Sequence, residues 1–163
     1  MWSCKRRNLL AGLASLTLVL SACGFAPAYG PGGNAASVTR NIALAAPQTR
    51  LEYLLNQQIE RRLGHAPGGD YQLTTAITTS DERIAVTSTN VTRRFEIVGS
   101  ADYTLTGPDG AVVTQGNVGG FTGYSATGST VATTAARTDA QDRLMVILAD
   151  QIVTRLIAAA PAS

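Results

Sequence analysis

The stretch Val91-Thr92-Arg93-Arg94-Phe95-Glu96-Ile97-Val98-Gly99-Ser100-Ala101-Asp102-Tyr103-Thr104-Leu105 decides the fold. Val91, Phe95, Ile97, Ala101, Tyr103 and Leu105 share one parity, while Arg94, Glu96, Ser100, Asp102 and Thr104 share the other. Side chains of a strand alternate between its two faces, so this is a strand with one apolar and one polar side. Fifteen residues in one phase is long for a strand. A bulge or bend near Gly99 is therefore expected.

The flanking chain has the same character. Upstream, Tyr71, Leu73, Thr75, Ile77 and Thr79 alternate with polar or small residues in a β-branched run. Its phase resets near Ser80-Asp81-Glu82 before continuing through Ile84-Ala85-Val86. Downstream, Gly107-Pro108-Asp109-Gly110 is a turn signal, and a further strand follows over 111–121. A short apolar stretch over 38–46, closed by Pro47, supplies the first strand of the domain.

Two helices bracket this meander. Thr49 and Glu52 have capping-box spacing, Leu51, Leu54, Leu55, Ile59 and Leu63 recur at three and four residues, and Gly64 marks the stop. The second helix is expected over 131–159. Its stripe is Ala136, Ala140, Leu144, Ile147, Leu148, Ile152 and Leu156, with Asp139, Asp142, Arg143 and Asp150 on the wet side. Asp139 and Arg143 have the i,i+4 spacing of a surface pair. The order is β-α-β-β-β-α. An α+β fold results, with two helices packed on one face of a mostly antiparallel four-stranded sheet.

The amino terminus is of another kind. Lys5-Arg6-Arg7 precedes an apolar run from Asn8 to Ala22, 15 residues long and too short to span a bilayer. It ends in Leu20-Ser21-Ala22-Cys23, which resembles the lipobox of bacterial lipoproteins. That resemblance implies cleavage after Ala22, acylation of the Cys23 thiol, and membrane anchoring through acyl chains. Gly24 stands where inner-membrane lipoproteins commonly carry Asp, which by the same resemblance favours the outer membrane. Arg6-Arg7 also partly resembles a twin-arginine export signal. Residues 1–22 are then the signal, 23–37 a Gly/Pro/Ala tether, and 38–160 a single domain.

After residue 22 the chain holds ten Arg against eleven Asp and Glu and no Lys, a net charge of about −1. Nucleic-acid binders carry a concentrated basic excess, so no nucleic-acid partner is expected. With Cys4 removed and Cys23 acylated, no disulfide can form.

Chemistry is sparse. The single histidine, His65, lies in a loop and reads as solvated. There is no G-x-S-x-G elbow, no C-x-x-C and no histidine pair at metal spacing, so neither enzyme, cofactor nor metal is expected. Gly116, Gly119, Gly120 and Gly123 read as strand bends or points of close approach. Asp81-Glu82 reads as an exposed turn, and Arg61-Arg62 as a complement to the first helix dipole. Arg94 falls on the uncovered sheet face, well placed for a phosphate or carboxylate, and a structural ion pair with a neighbouring acid such as Glu96 is the role expected ahead of anion binding. Arg83, beside the break, is a weaker candidate.

Cys23-Gly24-Phe25-Ala26-Pro27-Ala28-Tyr29-Gly30 resembles the mature start of the LPS-assembly lipoprotein family (LptE). Tyr124-Ser125, Ala132 to Ala136, Asp139-Ala140, Arg143 and Leu148-Ala149-Asp150-Gln151-Ile152 are similar to that family's last-helix pattern. The resemblance implies a non-enzymatic lipoprotein of the lipopolysaccharide translocon. Such a protein plugs a large outer-membrane β-barrel, supports its assembly and contacts lipopolysaccharide, with its body facing the periplasm or enclosed in the barrel. Arg94 and Arg83 are the candidate lipopolysaccharide contacts, placed by strand phase alone. An auxiliary lipoprotein of an ABC-type lipid transporter is the alternative.

Overall fold

The computed structural model describes residues 39–86 and 92–159. The element order is β1 (Ile42–Leu44), α1 (Arg50–Leu63), β2 (Tyr71–Val86), β3 (Thr92–Thr106), β4 (Val112–Ser125) and α2 (Thr130–Ala159). The sheet runs β1-β2-β3-β4. β1 and β2 are parallel and the other pairs antiparallel, as expected for this α+β class.

α1 starts where its cap chemistry dictates. Thr49 Oγ1 accepts from the Glu52 N–H at 3.2 Å, and Glu52 Oε2 accepts from the Thr49 N–H at 3.2 Å. Both orphan donors are thereby satisfied. Gly64 ends the helix at φ 92°, a conformation that disfavours any residue with a Cβ.

The core lies between the helices and one sheet face. Leu55 and Ile59 from α1 meet Leu73, Ile97, Leu105 and Val118 from the sheet, and Leu144, Leu148, Ile152 and Leu156 from α2. Each such side chain contributes roughly 1.5–3 kcal/mol by leaving water. Met145, Ala149 and Val153 are also buried, because α2 packs against α1 as well as the sheet and so buries a wider face than one stripe. Asp142, expected on the wet side, is partly buried, and its Oδ1 is enclosed without a hydrogen-bond partner among the described residues.

Three expected breaks are absent. The β2–β3 ladder runs without interruption from Gln72↔Thr106 to Arg83↔Phe95, so Ser80-Asp81-Glu82 is strand and not a turn. The irregularity comes later, around Ala85. β3 does not bend at Gly99, which pairs in register with Thr79 and Gly120. A Cβ at Gly99 would lie 2.7 Å from Leu144 Cδ2, and one at Gly120 2.9 Å from Ile147 Cγ2. These two glycines bring α2 close to the sheet. Third, β4 continues past Phe121 to Ser125, because Thr122 donates to Ala140 O at 2.8 Å and Tyr124 stacks on β3. β1 is shorter than expected, three residues long.

Helix cover is uneven along the hairpin. At the proximal end, where β2 starts and β3 finishes, Leu73, Tyr103 and Leu105 are buried. At the distal end, Asp81, Glu82, Arg83 and Ile84 are all exposed. Among the described residues no helix is long and apolar enough to cross a membrane.

Candidate functional site

Cys23, the expected lipidation site, lies outside the described residues, as do the signal and tether. The two candidate arginines belong to the distal end of the hairpin, on opposite faces. Arg94 is exposed and stands opposite Ser125 on β4 and Ala85 on β2. It shares the open face with Glu96, as parity requires. The expected Arg94–Glu96 ion pair does not form: the ion pairs among the described residues are Arg62–Asp150, His65–Glu60, Arg137–Asp81 and Arg143–Asp139. Glu96 instead sits directly across from Glu82, a like-charge pairing that disfavours the strand contact. Arg83 pairs with Phe95 and so points to the helix side. The structure does not bring the two arginines into one anion site.

A cluster that sequence reasoning missed organises the helix side. Phe95 and Tyr124 stack with centroids 5.3 Å apart and planes 11° from parallel. The Tyr124 hydroxyl donates to Asp81 Oδ1 at 3.2 Å. Arg137, from the third turn of α2, donates through Nε to Oδ1 at 3.2 Å and through a terminal nitrogen to Oδ2 at 2.6 Å. This two-pronged geometry is the stronger form of the Arg–carboxylate contact. Hydrogen bonds from Arg137 hold the Asp81 carboxyl below its ordinary pKa, against an opposing desolvation effect. Desolvation, then the Asp81 charge, pushes Tyr124 up. Arg137 thus pairs with the acid nearest to Arg83 on the same face of β2, and Arg83 has no ion pair among the described residues.

The signal that could have found Arg137 is a deficit. Before Ala140 the stripe of α2 offers only small side chains, so its first turns need a polar attachment to stay on the sheet.

The open face has a distinct centre. Thr78, Ser80, Val98, Ser100, Gly119 and Phe121 line a shallow hollow of about 430 Å³. Phe121 is 63% exposed there. These groups can meet an apolar surface or accept and donate hydroxyl hydrogen bonds. They include no base or acid for proton transfer. Among the described residues no group of three His, Cys, Asp or Glu is placed to hold a metal ion. His65 lies in its loop with Nδ1 2.9 Å from Glu60 Oε1.

The family model described as LptE, lipopolysaccharide-assembly, matches residues 39–156. Among solved structures, the chain is similar to a lipoprotein of Caulobacter crescentus at 28% identity, with a TM-score of 0.65, covering 76% of this chain and 93% of that one. It is similar in fold to rare lipoprotein B of Shewanella oneidensis, at 10% identity and TM-score 0.57, covering 72% and 92%. A minor lipoprotein of Acinetobacter baumannii has the same fold at 16% identity and TM-score 0.53, covering 72% and 88%. No curated protein matches the chain significantly.

Proposed function

The chain belongs to the LptE lipopolysaccharide-assembly family, and on that premise we propose that it is an outer-membrane lipoprotein that plugs a lipopolysaccharide-translocating β-barrel and supports its assembly. The observation that carries this reading is the match of the family across nearly the whole domain, over residues 39–156. Cys23 is the anchor in this reading, released by removal of residues 1–22 and joined to the domain over 38–160 by the tether 23–37. The role is structural and not catalytic.

The surface suits such a role. A body enclosed by a barrel needs a rigid packed half and outward surfaces without a large single-sign charge, and the centre of the open face is uncharged. Arg94 and Arg83, unpaired among the described residues, are the proposed contacts for lipopolysaccharide phosphates or carboxylates on its way outward. They act as separate points on two faces.

The test is depletion of the protein with two readouts. Surface lipopolysaccharide falls and one large outer-membrane barrel protein fails to mature if the proposal holds. Normal lipopolysaccharide and barrel with a changed phospholipid distribution would replace it with the transporter-auxiliary reading.

A further inference from the structure

Among the described residues, the outer edge of β2 is bare over most of its length. β1 covers only Tyr71 to Leu73. The Tyr71 N–H donates to Asn41 O at 3.1 Å, and Leu73 O accepts from the Ala45 N–H at 2.9 Å. Odd-numbered residues of β2 therefore turn their backbone groups outward, and by the same period so do Thr75, Ile77 and Thr79. Among the described residues, nothing pairs with the outward N–H and C=O groups of those three.

Exposed edges are usually blunted by charge, proline, bulges or a covering element. The other edge of the sheet shows the last device: Gln151 donates to Gly119 O at 2.9 Å and Arg143 to Gly123 O at 3.0 Å, so α2 caps β4. The run Thr74-Thr75-Ala76-Ile77-Thr78-Thr79-Ser80 has none of them. It is uncharged, β-branched, free of Gly and Pro, and in regular register throughout. Such a segment is a template for an added strand.

We propose that Thr75–Thr79 is a strand-addition site, occupied by an extended segment of the β-barrel partner. A strand there lies end to end with β1 and shields the half-buried Ile77 on the helix side. One short edge pairing falls well short of the about 1,200 Å² that a stable interface buries. Its occupant must therefore be held elsewhere on the domain as well, which a barrel surrounding the domain provides and an edge-to-edge second copy does not. This inference rests on the plug reading.

The test is amide hydrogen exchange on the full-length acylated chain, alone and copurified with the outer-membrane lipopolysaccharide-translocating barrel of the same cells. The expected result is at least tenfold slower exchange of the Thr75, Ile77 and Thr79 amides in the complex, with the outward amides of Val113 and Gln115 on β4 unchanged. A complex that forms while those three amides exchange as in the free chain overturns the strand-addition site and leaves the plug reading standing. Failure to form any complex overturns both. Protection already present in the free chain at every concentration assigns the edge to the chain's own residues before Thr39. Protection that grows with the chain's concentration assigns it to a second copy. Either outcome overturns the proposed occupant. Thr79→Pro, which deletes an N–H outside the β2–β3 ladder, should weaken the complex at least tenfold. Binding equal to the parent's would contradict the proposal.

Discussion

The proximal and distal ends of the β2–β3 hairpin are built from one continuous ladder but to different ends. Proximally, Leu73, Tyr103 and Leu105 are buried in the core that both helices share with the sheet. Distally, charged residues occupy both faces, with Arg83 turned to the helix side and Arg94 to the open side. Backbone pairing alone makes the strand in both places. The proximal part has the fuller apolar layer, so stability is concentrated there, while the distal part has the Phe95–Tyr124 stack and the Asp81–Arg137 pair on its helix side and carries Arg83 and Arg94 without an ion pair among the described residues.

Substitutions can break this contrast, beginning with the core. Leu148→Ala opens a cavity between α2 and the sheet and should cost about 2–5 kcal/mol, read as a fall in thermal midpoint. Gly120→Val should cost roughly 1–3 kcal/mol, because the new side chain meets Ile147 at once. Gly119→Val, one residue away on the open face, should lose nothing measurable. Equal losses for both would sink the claim that the glycines set the helix approach. Thr49→Ala removes a cap and should cost about 1 kcal/mol, again in a thermal melt.

Distal changes should be smaller. Arg137→Ala breaks a half-exposed ion pair and should cost about 0.2–1 kcal/mol. Its pH dependence has a definite sign. The folded Asp81 carboxyl has a lowered pKa, so the unfolded chain binds the proton more readily. The stability that the pair contributes is present at neutral pH and fades as the pH falls through the carboxylate range. Melts of the parent and Arg137→Ala should converge in acid; a gap that persists there would assign the loss to packing.

Local periodicity made much of this legible. Parity alone placed Arg94 on the open face and Ile97, Ala101, Tyr103 and Leu105 inward, and cap spacing placed the start of α1. Where the reading failed, the cause was non-local. Ser80-Asp81-Glu82 looks like a turn because polar residues occupy both parities, which is also what a strand looks like where it runs beyond its helices. Gly99 looks like a bend until the Leu144 side chain is known to press on it. The Asp81–Arg137 pair joins residues 56 apart in sequence. Nothing local announces it, and it changes which arginines are left without an acid. Arg94 and Glu96 share a face, as parity demands, yet no pair forms between them.

In this reading the domain divides its labour between a proximal scaffold and a distal working end. That division is tested most directly by replacing the chain in cells with the Arg83→Glu, Arg94→Glu double variant, and by measuring surface lipopolysaccharide beside the purified variant's thermal midpoint. The expected result is a midpoint close to the parent's with a clear fall in surface lipopolysaccharide. Normal lipopolysaccharide delivery by a stably folded double variant would contradict it.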